Sequence, residues 1–577
     1  MANSLHVRAE CTSAGKESEG ESAPFQGCPY WHCSSGRMPG GRASRVSNVT
    51  GIDVEGWLDL AARASTLRER LAHARAGAPM SRQGTEDDLQ AWVQACGDAD
   101  HLSTRLGAIA LTMDDLPGCL GIPSTQQMPP WCKLAIEASP SPDGITLAAI
   151  ESVALRRLER AIGVDTMSRL RGDLGASLHA ALDAVDGDSV AAGYPGLVRF
   201  AATTADLWVE RMRELIERAD QDAADVAMRL GWMRGALVEV SPGASDPHMG
   251  QARVALCTFQ SPVGERATVV YKPRDLRAEQ AWDLLTQGLS EGGIDVGDAP
   301  WVIARDGYGW TEFTPPLPAR NAYDVGRYFT RCGALAAVLY SLGAVDAMTE
   351  NISACIDRPV LIDAETILQP GRSRAADSYT VLDTMLLPRW IRAGRRAVDL
   401  SAMGLPAEGF DVPVTRLSDL RALDGTVIAA DGHVDEVLAG FDTAWRILQD
   451  RGVELADEAL AMWADATVRV IPRMTGAYVS RLRRSLQPSA NVDGLARSMV
   501  LEGLTRLPLG DPSSIVNLAV VETERESLEV GDIPCFRTSG GDRFVRDLSG
   551  ESILEFESSA VDRARARLAQ LDSRDHA

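Results

Sequence analysis

No stretch of the 577-residue sequence is long and apolar enough to span a bilayer. The longest apolar run, Cys332 to Val345, is broken by Ser341 and by glycines. A basic start followed by an apolar core is also missing from the N-terminus, so nothing marks the chain for secretion; the expected compartment is the cytoplasm, with no membrane partner. Positive charge is in deficit: the formal net charge of −22 argues against a nucleic-acid partner, which would need a basic face to displace counterions from phosphates. The ten cysteines are scattered, and only Cys28 and Cys33 lie close together, with His32 between them. One such pair without a second is a poor zinc signal, so no zinc is expected and the thiols should be free in a reducing compartment.

What is present is an ordinary globular composition, 45% hydrophobic, over a length that suggests three or four structural units. Residues 1–50 are rich in Ser, Gly and Glu with little periodicity and read as a flexible extension. Residues 51–234 read as helical: in Trp57-Leu-Asp-Leu-Ala-Ala, in Leu147 to Leu155 and in Leu197 to Leu215, apolar residues recur at three and four. The period then changes. Ala236 to Val240 is strand-like, Ser241 to Gly250 is a loop, Arg253 to Phe259 is a second strand, and Ala267 to Lys272 is a third that ends on a base. A helical spacing follows from Leu276 to Leu289, then a hairpin of Trp301-Val-Ile-Ala and Gly309 to Phe313, then a stiff Pro315-Pro-Leu-Pro318 segment. Residues 235–318 therefore read as a kinase-like N-lobe and 319–577 as a C-lobe, the latter opening with a helix over Asp324 to Gly343.

That helix delivers the stretch with the densest chemistry, Asp346 to Glu365. An acid at Asp346, an amide at Asn351 and an acid at Asp363, just after the apolar Val360-Leu-Ile362, have the spacing phosphoryl transfer uses. One Asp orients the attacking hydroxyl, the Asn holds one Mg²⁺, and the later Asp holds another. Lys272, on the third strand, is placed to contact phosphates. The plainer reading stays open at this point: a helix end with an exposed Asp and Asn, a buried strand with an acid at its tip, and a solvated lysine.

From about residue 194 to 568 the chain resembles the dehydratase half of type 2 lanthipeptide synthetases, the LanM family. The resemblance is carried by Gly193-Tyr-Pro-Gly-Leu-Val, Ser245-Asp-Pro-His-Met-Gly, Val270-Tyr-Lys-Pro-Arg-Asp-Leu276, Gly307-Tyr-Gly-Trp-Thr-Glu312 and Arg331-Cys-Gly-Ala-Leu. Further along it is carried by Asp346-x-x-x-Glu-Asn351, Arg358-Pro-Val-Leu-Ile-Asp-Ala-Glu-Thr366, Val381-Leu-Asp-Thr-Met-Leu-Leu-Pro388, Arg469-Val-Ile-Pro-Arg-Met-Thr475 and Gly531-Asp-Ile-Pro534. It implies an α/β (α+β) fold, a lipid-kinase-like bilobal dehydratase core behind a large helical N-terminal region. The activity it implies uses ATP and Mg²⁺ to phosphorylate Ser and Thr of a ribosomal precursor peptide with a leader, then eliminates phosphate to leave dehydroalanine and dehydrobutyrine.

By the same resemblance Lys272 neutralises phosphate oxygens, Asp346 orients the hydroxyl, and Asn351 and Asp363, with Glu365, hold the Mg²⁺–ATP. Arg469 and Thr475 act on the leaving phosphate, while Asp246 and His248 belong to a loop near the phosphates. A surface Arg and a Thr helix cap are the plain alternatives for 469 and 475. Two departures from the family stand out. Met348 occupies the position where the family usually has His, and no Cys/His cluster matching the family's zinc cyclase follows Gly531-Asp-Ile-Pro, so dehydration without ring closure, beside a separate cyclase, is the expectation. A peptide kinase alone, a phosphopeptide eliminase alone and a precursor-binding pseudoenzyme are the alternatives.

Overall fold

The structure, a computed structural model, describes residues 54–66, 130–159, 173–174, 178, 193–371, 379–393, 396–404, 416–506, 518–546 and 551–571. The flexible extension expected over 1–50, with Cys28, His32 and Cys33, lies outside the described residues. Helix and sheet are mixed throughout, compatible with the expected α/β class.

Among the described residues four α-helices come first: α1 (Val54–Arg63), α2 (Pro130–Ala138), α3 (Leu147–Glu159) and α4 (Pro195–Arg229). Proline at the first position of α4 leaves no backbone donor unmet there. Buried Leu197, Ala201, Trp208, Met212, Leu215, Ala219 and Val226 form its inner stripe. The helix lies within the stretch expected to be helical, and Asp222, buried on the same stripe, accepts from Trp310 Nε1 at 2.9 Å and Arg305 Nε at 2.8 Å. A carboxylate paired inside the core is invisible to apolar periodicity.

The sheet follows: β1 (Ala236–Ser241), β2 (Ala255–Gln260), β3 (Arg266–Lys272), then α5 (Arg277–Glu291), β4 (Val302–Arg305) and β5 (Tyr308–Glu312). All neighbours are antiparallel, in the order β1-β2-β3-β5-β4. Phe259, Val269, Tyr271 and Trp310 bury one face of the sheet in the same core as Trp208 of α4 and Trp57 of α1. The helices and the sheet therefore share one hydrophobic interior.

A second core gathers around α6 (Ala322–Leu342). Asn321 caps its start by accepting from the amides of Tyr323 and Asp324, and Gly343, at φ +77°, ends it in the left-handed region. After α6 come β6 (Ile352–Cys355), β7 (Arg358–Leu361), β8 (Trp390–Ala393), β9 (Arg396–Asp399), α7 (Val434–Asp465) and β10 (Thr467–Val470). The sequence suggests one apolar side for α6, yet it is buried nearly all round, because α7 crosses it at two glycines. A Cβ on Gly333 would sit 1.9 Å from the Val437 carbonyl oxygen, and one on Gly440 would sit 1.9 Å from that of Thr330. Only glycine permits this backbone approach.

The chain closes with α8 (Thr475–Ser485), α9 (Gly494–Leu501), α10 (Leu518–Glu529), β11 (Phe536–Ser539), β12 (Phe544–Arg546), β13 (Ser552–Glu555) and α11 (Ala560–Ala569). β10 pairs antiparallel with β11, which brings residues near 537 back beside Arg469. The proline segment between β5 and α6 is tied down: Leu317 N donates to Ala354 O at 2.8 Å and Leu317 O accepts from Ile356 N at 2.9 Å. No helix among the described residues is long and apolar enough to cross a membrane.

Candidate active site

Lys272 is the last residue of β3 and its side chain is buried. Its ammonium group donates to Glu279 Oε1 of α5 at 3.1 Å and to the Ile362 carbonyl at 2.6 Å. A buried ammonium needs such partners. They also tie the sheet to the stretch after β7, where Asp363 and Glu365 project. Arg274, two residues beyond Lys272 and equally buried, donates to Glu279 Oε2 at 3.0 Å, contacts Asp363 Oδ1, and lies 3.2 Å from Glu365 Oε2. Glu279 thus holds both cations, and Arg274 binds both later acids.

Asp346 sits in the turn after α6 with φ +68°, a left-handed backbone unusual for a residue with a side chain. Asn351 stabilises that turn, its amide nitrogen donating to Asp346 O at 2.7 Å and approaching Asp346 Oδ2 at 3.4 Å. Ile362 N in turn donates to Asn351 O at 3.0 Å, which keeps the acid–amide turn and the Asp363 segment together. Burial pushes the Asp346 carboxyl up to about 7, with the charges of Glu350, Asp363 and Glu365 adding to it and Arg469 opposing. A carboxyl poised near neutrality is suited to accepting a proton. Strained backbone at a polar cleft accords with a functional site.

Arg469, on β10, donates through its backbone amide to Glu365 O at 2.7 Å and through Nη1 to Glu365 Oε1 at 3.1 Å. It lies on a strand, not on the helix surface of the plain alternative. Burial alone would raise Glu365; the guanidinium groups of Arg274, Arg469 and Arg537 reverse this and hold it down at about 2. Thr475 is the first residue of α8, one place past the cap position Met474, and is half-buried. Among the described residues no hydrogen bond joins Thr475 to Arg469 or to the acids. Arg473, in the same sequence element, faces elsewhere and pairs with Glu524 at 2.7 Å in the interior.

The loop carrying Asp246 and His248 is folded by residues far along the chain. Met249, Gly250 and Gln251 all take positive φ. The carboxylate of Asp532 accepts from Gly250 N, from Gln251 N at 2.9 Å and from Gln251 Nε2 at 2.9 Å, and Ile533 N donates to Pro247 O at 2.8 Å. His248 Nδ1 lies 2.7 Å from Ile533 O, so this nitrogen carries the proton and Nε2 keeps its lone pair. Burial, and then the positive charge of Arg469, lower the His248 pKa and keep the ring neutral. Asp246 is exposed and acts on His248 only through its charge.

Lys272, Asp346, Asn351, Asp363, Glu365 and Arg469 therefore lie in one linked group, with His248 near Arg469 and Glu365 through charge alone, while the structure makes no such link for Asp246 or Thr475. Glu279, Arg274 and Asp532 take part without having been singled out in the sequence. One signal for Lys272 was overlooked: Lys16, Lys133 and Lys272 are the lysines among 58 basic residues, so a lysine stands there in a chain that otherwise uses arginine. Asn351 and Asp363 offer two oxygen donors, as suits a Mg²⁺ that takes its other ligands from phosphates and water. No group of three His, Cys, Asp or Glu able to hold a metal occurs among the described residues.

A mixed helix-and-sheet protein with a paired Lys–Glu, an acid–amide turn and an arginine-clamped carboxylate in one hydrogen-bonded cluster is the class so defined. The chain belongs to the family described as "Domain of unknown function (DUF4135)", whose model matches residues 194–419 and 409–539. It is also similar to the "Lacticin 481/lactococcin biosynthesis protein LcnDR2" of Lactococcus lactis subsp. lactis, at 18% identity over 353 residues, 54% of this chain and 37% of that protein. The chain thus spans little more than a third of that relative's length.

Proposed function

We propose that the chain is a lanthipeptide-type dehydratase, which phosphorylates Ser and Thr of a ribosomal precursor peptide with ATP and then eliminates the phosphate. The likeness to a lacticin 481/lactococcin biosynthesis protein supports a place in lanthipeptide maturation. The observation that carries the catalytic part is the linkage of Lys272–Glu279, Asp346–Asn351, Asp363 and Glu365–Arg469 in one hydrogen-bonded cluster. A lysine on a strand paired with a glutamate on the next helix, facing an Asp–Asn turn and a second Asp, is the arrangement that positions a nucleotide triphosphate in kinases.

In this reading Mg²⁺, held by Asn351 and Asp363, supplies charge neutralisation for the triphosphate. Lys272 adds a cation, and Asp346, with its carboxyl near neutrality, orients the peptide hydroxyl and takes its proton. For elimination, His248 Nε2 is a neutral acceptor beside Arg469, and Arg469 stabilises the departing phosphate dianion, with Thr475 donating to it. The same reading takes the surrounding mixed helix-and-sheet core to be bilobal and kinase-like.

The test is incubation with a Ser/Thr-rich precursor peptide, ATP and Mg²⁺, followed by mass spectrometry. Loss of one water per modified residue, with transient phosphopeptide, is the expected result. ATP consumption that stops at phosphopeptide would reduce the assignment to a kinase, water loss only from prephosphorylated peptide would reduce it to an eliminase, and no change in any peptide would leave a binding scaffold.

A further inference from the structure

Arg537 stands directly opposite Arg469 across the β10–β11 ribbon, as its register partner. Like charges facing each other on paired strands are destabilising, so an arrangement of this kind calls for an anion. Glu365 answers only part of that demand. Arg274 is matched by Glu279 and Asp363, and Arg469 by Glu365, but among the described residues Arg537 has no carboxylate in ion-pair range. Its side-chain partners are sulfurs, weak acceptors both, Met249 at 3.1 Å from Nη1 and the Cys535 thiol, and its buried Nε has no partner. A buried guanidinium donor left unmet is costly, and a ligand acceptor is the usual reason for one.

Arg537 also lines a cavity of about 850 Å³ beside the cleft. Arg211, Arg218, Arg274, Arg277 and Arg305 line it too, each paired with a carboxylate, so that among the described residues Arg537 is the arginine of this wall without an ion pair. Thr467 reaches the same cavity from β10, on the face that bears Arg469 two residues later. The cavity and the catalytic cleft therefore meet at Arg274 and at the Arg469–Arg537 pair.

We infer that Arg537 and this cavity form a binding site for a phosphomonoester dianion, the phosphorylated side chain of the peptide and then the inorganic phosphate it releases. The assignment rests on the dehydratase reading for its substrate, though not for its anion chemistry. In the elimination a base takes the α-proton, the electron pair of that C–H bond becomes the Cα=Cβ bond, and the Cβ–O bond breaks with its electron pair leaving on phosphate. Arg469 and Arg537, facing each other, hold two sides of that leaving group, and the cavity is its way out.

The experiment uses the full chain and inorganic phosphate as probe, with Arg537→Gln and Arg537→Lys. Calorimetry should show phosphate binding weakened about tenfold or more by R537Q and partly restored in R537K. Denaturant midpoints should change little for R537Q, since the removed cation faces another and acts on Glu365 only at a distance, Arg274 and Arg469 keeping that carboxylate paired. With a synthetic phosphopeptide, R537Q should slow elimination at least tenfold while leaving phosphorylation of unmodified peptide in place. Unchanged phosphate affinity, or elimination at the wild-type rate in R537Q, overturns the site even where wild type dehydrates its peptide. A wild type that modifies no peptide yet binds phosphate through Arg537 keeps the anion site and removes the dehydratase reading instead.

Discussion

Glu365 and Arg469 are joined twice, backbone amide to carbonyl at 2.7 Å and guanidinium to carboxylate at 3.1 Å, and Arg274 approaches the same carboxylate at 3.2 Å. Replacing Glu365 with Gln removes the negative charge between two buried guanidiniums. Breaking a buried ion pair in this way typically destabilises by about 3–5 kcal/mol. Urea titration should show a lower midpoint at unchanged slope, the signature of lost stability without a changed unfolded state. The pH dependence has a fixed sign. The carboxyl is held at about 2, below its unfolded value of 4.5, so its contribution is fully present above 4.5 and is lost as pH falls from there toward 2. The wild-type-minus-E365Q stability difference should therefore shrink over that acid window and stay flat above it.

Lys272→Met separates the two half-reactions. Glu279 keeps Arg274 as a partner when Lys272 is gone, so the fold should survive the change. Phosphorylation should fall by about 10²–10³-fold, the usual loss when one stabilising charge or donor leaves a transition state. Elimination from prephosphorylated peptide should persist. Mass spectra on both substrates check this, and undiminished water loss from unmodified peptide would contradict the role of Lys272.

Thr475→Ala is the cleaner probe of elimination than Arg469→Ala. Arg469 also secures Glu365, so its removal mixes chemistry with stability, whereas Thr475 opens α8 without a bond to the cluster. Phosphopeptide should accumulate in T475A with the denaturation midpoint nearly unchanged. If only unmodified peptide is recovered, Thr475 acts before elimination.

Asp532→Ala should loosen residues 245–252 without unfolding the rest. Three donors from that loop, two backbone amides and the Gln251 side chain, would lose their acceptor, at about 1.5–3 kcal/mol for a hydrogen bond to a charged group. Hydrogen exchange should rise at Gly250 and Gln251 well above the rise in β2 and β3. Equal protection in wild type and variant would mean that Arg211, Val530 and Ile533 hold the loop without Asp532.

The elements with simple periodicity were legible in the sequence. β3 ends at Lys272 as expected, β1 and β2 fall within two residues of their expected limits, and α6 begins two residues before Asp324. The Asp346–Asn351 turn and the Asp363 segment come together as their spacing suggests. What the sequence hid were pairings between distant charges. Arg274 and Glu279 look like surface residues beside an apolar helix pattern, Asp222 interrupts one, and Asp532 meets its loop across some 280 residues. Local patterning reports burial of carbon and carries no information on which charge will meet which.

Met348 lies between Asp346 and Asn351, where its carbonyl accepts from Asn351 N at 2.9 Å and its backbone bridges to Ser401. The turn geometry is thus made by the backbone and does not depend on the side chain at 348. A thioether there neither donates nor accepts a proton usefully, so any acid–base or charge-stabilising help at this position is absent, and such help is typically worth about 10²–10⁴-fold. Asp346, Asn351 and Asp363 remain in place, so wild-type phosphorylation should be measurable and slow. Met348→His should raise that rate, with the gain greatest where the introduced imidazole is neutral, and should leave elimination from synthetic phosphopeptide nearly unchanged because that step uses His248, Arg469 and Thr475. Single-turnover phosphorylation with excess enzyme, read by mass spectrometry, separates the chemical step from product release. Equal single-turnover rates for wild type and M348H would show that the position serves packing alone, which a flexible apolar side chain can do.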